Sequence, residues 1–470
     1  MKIKQIVLLI LILCMYKSAL YAQKQETRSS KYYLNPNDRV CYIGNSITAG
    51  GEYCFFIDLY AHTRYPNLKF ESFNSGISGN SAQDVLDRMN RDIFVHHPTI
   101  ATIKLGMNDV RRDLYSSQKA SPEIEKQQAD ALADYSDKMT KIAEELSAQK
   151  CKLIFLTPSI YDQTAKIATA NNFGVNDALA KCAEIVKGLA KKYQAPIVDF
   201  YSTMNSINRT MQLKDSTYTL IGNDRVHPGM PGHLVMAFTF LTALHCDSLV
   251  SKLVVDARKK KVNEKINCAV SHLKSDRKVV SFDLLTYSLP FPVFPAAKPA
   301  LELVPFIQRL NQEILKVNNL SKGHYLLTID KDTLGVFSDS NFTTGVNLAL
   351  YQQTPQYKQA IQVMDVLWKQ HELISNKIRI MDMIELSALR EMKNLDDLQE
   401  VKKVLDKDLS KMVGKDYYSW VHDRYADYIQ MSPNKKQIEN EILALEKEIN
   451  QINQPVSHHY QLLLKNEDKR

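Results

Sequence analysis

Val40-Cys41-Tyr42-Ile43-Gly44-Asn45-Ser46-Ile47-Thr48 is the stretch from which the fold can be read. Four apolar residues run without a break into a Gly-x-Ser turn, and a short apolar run bounded by a turn signal reads as a buried strand. Ser46 then stands at the end of that strand. A Gly-x-Ser turn also closes ordinary strands, and a serine there equally suits the cap of a following helix. The reading of Ser46 as a nucleophile therefore requires a base, an orienting carboxylate and oxyanion donors elsewhere in the chain.

From Arg39 to about Val250, strand-like apolar runs alternate with amphipathic stretches, the pattern of a parallel sheet with helices on both faces. The predicted strands are Val40–Ile43, Leu68–Phe73, Ile100–Leu105, Lys152–Leu156 and Ile197–Phe200. The predicted crossover helices, with apolar residues three and four apart, are Gln83–His97, Ile124–Ser147, Asp177–Tyr193 and Pro231–Leu249. Ligands of such sheets bind beyond the carboxyl ends of the strands. Three polar loops converge there: Gly44-Asn45-Ser46, Asn74 to Gly79, and Gly106-Met107-Asn108-Asp109.

Late in this region stands Asp224-Arg225-Val226-His227-Pro228-Gly229. An Asp three residues before a His can accept the imidazole Nδ1 proton, which fixes the tautomer and leaves Nε2 as a base. A serine hydroxyl is inert at its own pKa and needs such a base. The order Ser46, Asp224, His227, together with the three loops, resembles the SGNH or GDSL hydrolase family. Gly44-Asn45-Ser46-Ile47-Thr48 matches its first block, Asn74-Ser75-Gly76-Ile77-Ser78-Gly79 its second, Gly106-Met107-Asn108-Asp109 its third and Asp224 to His227 its last. The resemblance implies a flavodoxin-like three-layer α/β/α hydrolase domain and a Ser46-His227-Asp224 triad. It implies an oxyanion hole made by the backbone N–H groups of Ser46 and Gly79 and the Asn108 side chain, acyl transfer through an acyl-enzyme, and no metal or organic cofactor. In one respect the chain departs from the family: Asn45 occupies the position where Asp is usual, which implies an altered hydrogen-bond network around the nucleophile. His62 and His233 lack a sequence partner and read as packing or surface histidines. Arg111 and Arg112 read as a solvated loop beside the third block.

A chain of 470 residues exceeds the roughly 250–300 at which one core stops growing, so more than one domain is expected. Lys2 and Lys4 ahead of the apolar run Ile6–Leu13, with Leu20-Tyr21-Ala22 as a cleavage region, read as a signal peptide over residues 1–22. Lipoprotein anchoring through Cys14 is disfavoured because Leu13 precedes it. The expected product is exported to the periplasm or beyond, with a hydrolase domain over 23–255 and an accessory region over 256–470. No later run reaches the ~18–20 apolar residues of a membrane span. The net charge of +8, less Lys2, Lys4 and Lys17, leaves about +5, and basic residues interleave with acids from Lys435 to Glu448, as on a solvated helix face and unlike a nucleic-acid surface. The six remaining cysteines form no Cys-x-x-Cys pair, which argues against metal, and mostly buried thiols are favoured over a disulfide framework.

Beyond Val250 the basic run Arg258–Lys261 and the prolines 290, 292, 295 and 299 change the texture of the chain. A helix over Leu301–Val317, a hairpin of Tyr325–Asp330 and Thr333–Ser338, and a mainly helical remainder are expected. Helical spacing marks Tyr357–Met392. Ile438, Ile442, Leu445, Ile449 and Ile452 make a short heptad seam, read as packing within the chain and not as dimerisation. The segments Leu289–Pro292, Leu310-Asn311, Gly323–Tyr325, Ile329-Asp330 and Gly345–Ala349 look like the tail of exported GDSL-like hydrolases. The substrate expected is an O-acetylated polysaccharide or oligosaccharide. A lysophospholipase or thioesterase is the alternative within enzymes, and a non-catalytic glycan-binding protein the alternative outside them.

Overall fold

Residues 33–115 and 120–465 are described by a computed structural model. The expected signal peptide and Cys14 lie outside the described residues.

Five parallel strands form the first sheet: β1 (Arg39–Gly44), β2 (Glu71–Gly76), β3 (Ile100–Lys104), β4 (Lys152–Leu156) and β5 (Ile197–Val198), in the order β2-β1-β3-β4-β5. This is the flavodoxin-like order, with the direction of winding reversing at β1 and β3. The pairing register sets Gly44 beside both Gly76 and Lys104, so the loops after β1, β2 and β3 leave the sheet at one level. A short helix, Ser46–Gly50, lies against these ends. A Cβ on Gly76 would stand 2.2 Å from the Ala49 nitrogen and one on Gly44 would stand 2.1 Å from Thr48 Oγ1, so both glycines are required by close approach.

The helix Pro122–Ala148 follows its expected stripe, burying Tyr135, Met139, Ile142 and Leu146 on the sheet. Two helices were not legible. Glu52–Arg64 is buried from Tyr53 to Arg64 and so has no polar face to reveal its period, and Phe200–Gln212 follows the two-residue β5 directly. Two expectations shift. β2 runs Glu71–Gly76 and not Leu68–Phe73, because polar Ser75 is buried and continues the ladder with β1, its Oγ accepting from Cys41 Sγ. The expected helix Gln83–His97 is α-helical over Ala82–Arg88 only, and a π-turn and a 3₁₀ turn complete it.

After the helix Met230–Ala243, shorter than the expected Pro231–Leu249, the layers change. β6 (Leu249–Asp256), β7 (Lys261–Ile266), β8 (Cys268–Ser275), β9 (Val279–Thr286), β10 (Gln312–Asn318), β11 (His324–Ile329), β12 (Asp332–Ser338), β13 (Val346–Asn347) and β14 (Ser457–Leu464) build two more sheets. Their orders are β13-β10-β6-β7 and β12-β11-β14-β9-β8. The expected hairpin is β11–β12. The expected helix Leu301–Val317 is overturned. Pro305 separates two short helices, Ala300–Leu303 and Phe306–Leu310, and Gln312–Asn318 alternates buried and half-buried residues with the period of a strand. Leu253, Phe282, Leu315, Tyr325 and Tyr460 fill the core of these sheets. The rest is helical, as expected: Pro355–Leu373, Arg379–Glu385, Leu398–Ser410, Tyr418–Met431 and Lys435–Ile452. The heptad seam of the last packs on Pro355–Leu373, where Gln370 and Gln359 donate to the carbonyls of Ile442 and Ile452.

Candidate active site

At the C-terminal edge of the first sheet, Ser46 Oγ lies 2.7 Å from His227 Nε2, and His227 Nδ1 lies 2.5 Å from Asp224 Oδ2. The other Asp224 oxygen accepts the backbone N–H of His227 at 2.9 Å and of Val226 at 3.0 Å. Burial pushes the Asp224 carboxyl up, but these hydrogen bonds outweigh it and hold the group below its ordinary range. The loop is fixed by its own intervening residue. Arg225, buried and with φ +65°, donates to the carbonyls of Asp162, Ala165, Ile167 and Thr169. The Gly222 N–H closes the turn on the His227 carbonyl at 2.7 Å. An arginine between the two motif residues gives no signal in sequence, because its partners lie more than fifty residues away.

Ser46 begins its helix, so its N–H points outward from the N-terminus, where no intrahelical acceptor exists. Gly79 adopts φ +82°, a conformation that favours glycine, and faces open space where a side chain would stand. Asn108 Nδ2 donates to the Asn80 carbonyl at 2.9 Å, tying the third loop to the second. Asp109 ties them again: its oxygens accept the Ala82 N–H at 2.6 Å and the Gly106 N–H at 2.8 Å. Burial raises the Asp109 carboxyl to about 6, against the opposing pull of those two bonds. The structure thus brings the serine, the histidine, the aspartate and the three loops bearing Ser46, Gly79 and Asn108 to one sheet edge.

Behind Ser46, buried Asn45 turns its Oδ1 to Lys104 Nζ at 3.4 Å, and its Nδ2 has no partner among the described residues. Lys104 is fully buried at the end of β3, and burial depresses its ammonium to about 7, with only the nearby Cys54 thiol acting in the other direction. His233 stacks on Tyr53 and reaches Glu52 at 3.3 Å, and His62 packs on Phe70, so both histidines are buried packing groups. Arg111 pairs with exposed Asp113.

A second buried cluster holds the loop after β2. Arg88 donates to the Ser75 carbonyl at 2.9 Å, the Gly44 carbonyl at 3.4 Å and Asn80 Oδ1 at 2.7 Å, and it ion-pairs with Asp92. Arg379 reaches in from the C-terminal helices. Its Nε donates to the Gly76 carbonyl at 3.1 Å, and its other nitrogens meet Asp92 at 2.8 and 3.1 Å and Asp382 at 2.8 Å. Burial pushes the Asp92 carboxyl up, but Arg379 and Arg88 outweigh it and hold the group ionised below its usual range. In sequence Arg88 and Asp92 look like an ordinary i,i+4 surface pair, and nothing marks Arg379 as their partner.

Cys41, Cys54, Cys151, Cys182, Cys246 and Cys268 are buried free thiols. Among the described residues no group of three His, Cys, Asp or Glu side chains is placed to hold a metal ion.

Residues 42–235 match the model of the GDSL-like lipase/acylhydrolase family. An acetylxylan esterase from Geobacillus stearothermophilus is 24% identical over 226 residues, covering 44% of this chain and 94% of that protein. The solved structure of a gut microbial diltiazem-metabolizing enzyme is 30% identical, covers 92% of this chain and 99% of its own, and superposes with a TM-score of 0.83. With the sheet order, the loop motifs and a full-length relative in agreement, the chain belongs to the GDSL-like lipase/acylhydrolase family, the SGNH hydrolases, and is an esterase by that membership.

Proposed function

We propose that the protein is an exported serine esterase that removes acetyl groups from a polysaccharide or oligosaccharide. The observation that carries the catalytic assignment is the continuous chain of contacts from Ser46 Oγ through the His227 ring to Asp224. In this reading Ser46 attacks the ester carbonyl while His227 Nε2 takes its proton, and Asp224 stabilises the imidazolium. The tetrahedral oxyanion receives hydrogen bonds from the N–H groups of Ser46 and Gly79 and from Asn108 Nδ2. The alcohol leaves with the proton from His227, and water, activated by the same nitrogen, hydrolyses the acyl-enzyme.

The acetyl preference draws support from the acetylxylan esterase relative. A lysophospholipase or thioesterase needs an extended apolar groove for its acyl chain. Assaying the purified protein and Ser46→Ala on an aryl acetate tests the mechanism. The variant is expected to lose at least ~10³-fold in kcat, and equal rates would leave the serine mechanism without support. Acetate release from acetylated glycans, set beside fatty-acid release from a lysophospholipid, tests the substrate, and cleavage of the lipid alone would replace the glycan reading. Export is tested by N-terminal sequencing of protein from the native host, which should begin near Gln23.

A further inference from the structure

A cavity of about 950 Å³ opens beside the second loop of the site. One wall is Ile77, Ser78 and Asn80 with the exposed face of the following helix, and the other is built by the C-terminal helices. That volume lies at the upper end of the ~300–1,000 Å³ of ordinary ligand pockets, enough for more than one ring of a ligand. Asn80 belongs to its wall, and the Asn80 carbonyl accepts from Asn108 Nδ2, so one residue of the cavity also holds a side chain of the catalytic edge.

Its chemistry is mixed. Asp87, Arg91 and Arg390 bring both signs of charge, and Trp420 stands 48% exposed. The other tryptophan behaves differently. Trp368 packs edge-on against Phe55, with ring centroids 5.0 Å apart, and at a tilt against Phe294 at 4.9 Å. An alkyl chain laid along Asp87, Arg91 and Arg390 would strip water from polar groups and offer nothing in return. A polyhydroxylated chain supplies donors and acceptors to those groups, and the C–H face of a sugar ring packs flat on an indole.

We infer that this groove binds the alcohol portion of the substrate as an oligosaccharide, with Trp420 as the platform for a sugar ring next to the acetylated one. The acetyl group sits at Ser46 and the glycan runs from there past Asn80 toward the C-terminal helices. Those helices thereby act in substrate selection. The inference rests on the esterase reading above.

The test is binding of acetylated xylo-oligosaccharides of two to six rings to full-length Ser46→Ala protein by calorimetry, with Trp420→Ala and Arg390→Ala each added to that background. Affinity is expected to grow with chain length in Ser46→Ala and to fall at least tenfold, with length dependence lost, when Trp420 is removed. Arg390→Ala, at an exposed site, should weaken the longer chains and serves if the tryptophan variant does not fold. Unchanged affinity in both variants, or tighter binding of a lysophospholipid than of any oligosaccharide, would overturn the inference. Wild-type acetate release from the same oligosaccharides is measured in parallel. Release with unchanged affinities rejects the groove and keeps the esterase, whereas no release from any glycan rejects the glycan reading and this inference with it.

Discussion

Asn45 stands where the family usually has Asp, and its neighbour Lys104 shows what that exchange does. A carboxylate at this position would face the buried ammonium as a counterion, whereas the amide offers one oxygen at 3.4 Å. The folded lysine gives up its proton at about 7, the unfolded one near 10.5. Between those values the unfolded chain binds more protons, so stability rises with pH across that window. Thermal melts of the wild type should show this rise, and Asn45→Asp, by holding the lysine charged in the fold, should flatten it. Parallel curves for the two proteins would show that Lys104 does not titrate there. At the third loop, Asn108→Ala removes both a proposed oxyanion donor and the tie to Asn80. A fall of ~10²–10³ in kcat is expected, read with an aryl acetate, and a loss confined to KM would contradict the role. Asn108 was legible because Gly-x-Asn-Asp is a local motif; Arg225 was not, because only the folded loop brings its carbonyl partners together.

Among the elements, the loop after β2 is held from two sides, by Arg88 from the hydrolase domain and by Arg379 from the helix Arg379–Glu385. Both converge on Asp92, and both reach backbone carbonyls at the ends of strands. Arg379→Lys keeps a charge for Asp92 but loses the planar fork that also reaches the Gly76 carbonyl. Its kcat should drop ~10-fold with KM within about twofold, as expected when a donor is displaced in the transition state while ground-state binding persists. Arg379→Met leaves Asp92 short of one buried partner and should cost ~3–5 kcal/mol of stability, measured by denaturant unfolding. Wild-type kcat in a folded Arg379→Lys would make the contact purely structural. Elements with their own periodic signal, such as Pro122–Ala148 and the β11–β12 hairpin, could be read directly. Glu52–Arg64, buried on all sides, could not, because a helix without a polar face has no moment.

Over the whole molecule, the hydrolase sheet and the C-terminal region share contacts along Glu52–Arg64. Phe55 meets Trp368, Phe56 meets Phe291, Arg64 donates to the Leu310 carbonyl at 2.8 Å, and Asn453 donates to the His62 carbonyl at 3.1 Å. A fragment ending at Ser248 would expose this aromatic face and lose Arg379, so it should be insoluble or molten. Expression and circular dichroism of the fragment check this, and a soluble, active fragment would show that the hydrolase domain folds alone. The sequence by itself determined the parallel α/β architecture, the order of the four motif blocks and the serine, aspartate and histidine to be considered. These are carried by local spacing, apolar periodicity and turn chemistry. Only the tertiary structure decided that β14 enters a sheet between β9 and β11, that Lys104 lies buried behind Ser46 with the Asn45 amide oxygen as its hydrogen-bond acceptor, and that Arg379 grips the second loop. Each of these depends on residues far apart in the chain, whose proximity and burial are set by packing and leave no mark in any short stretch of sequence.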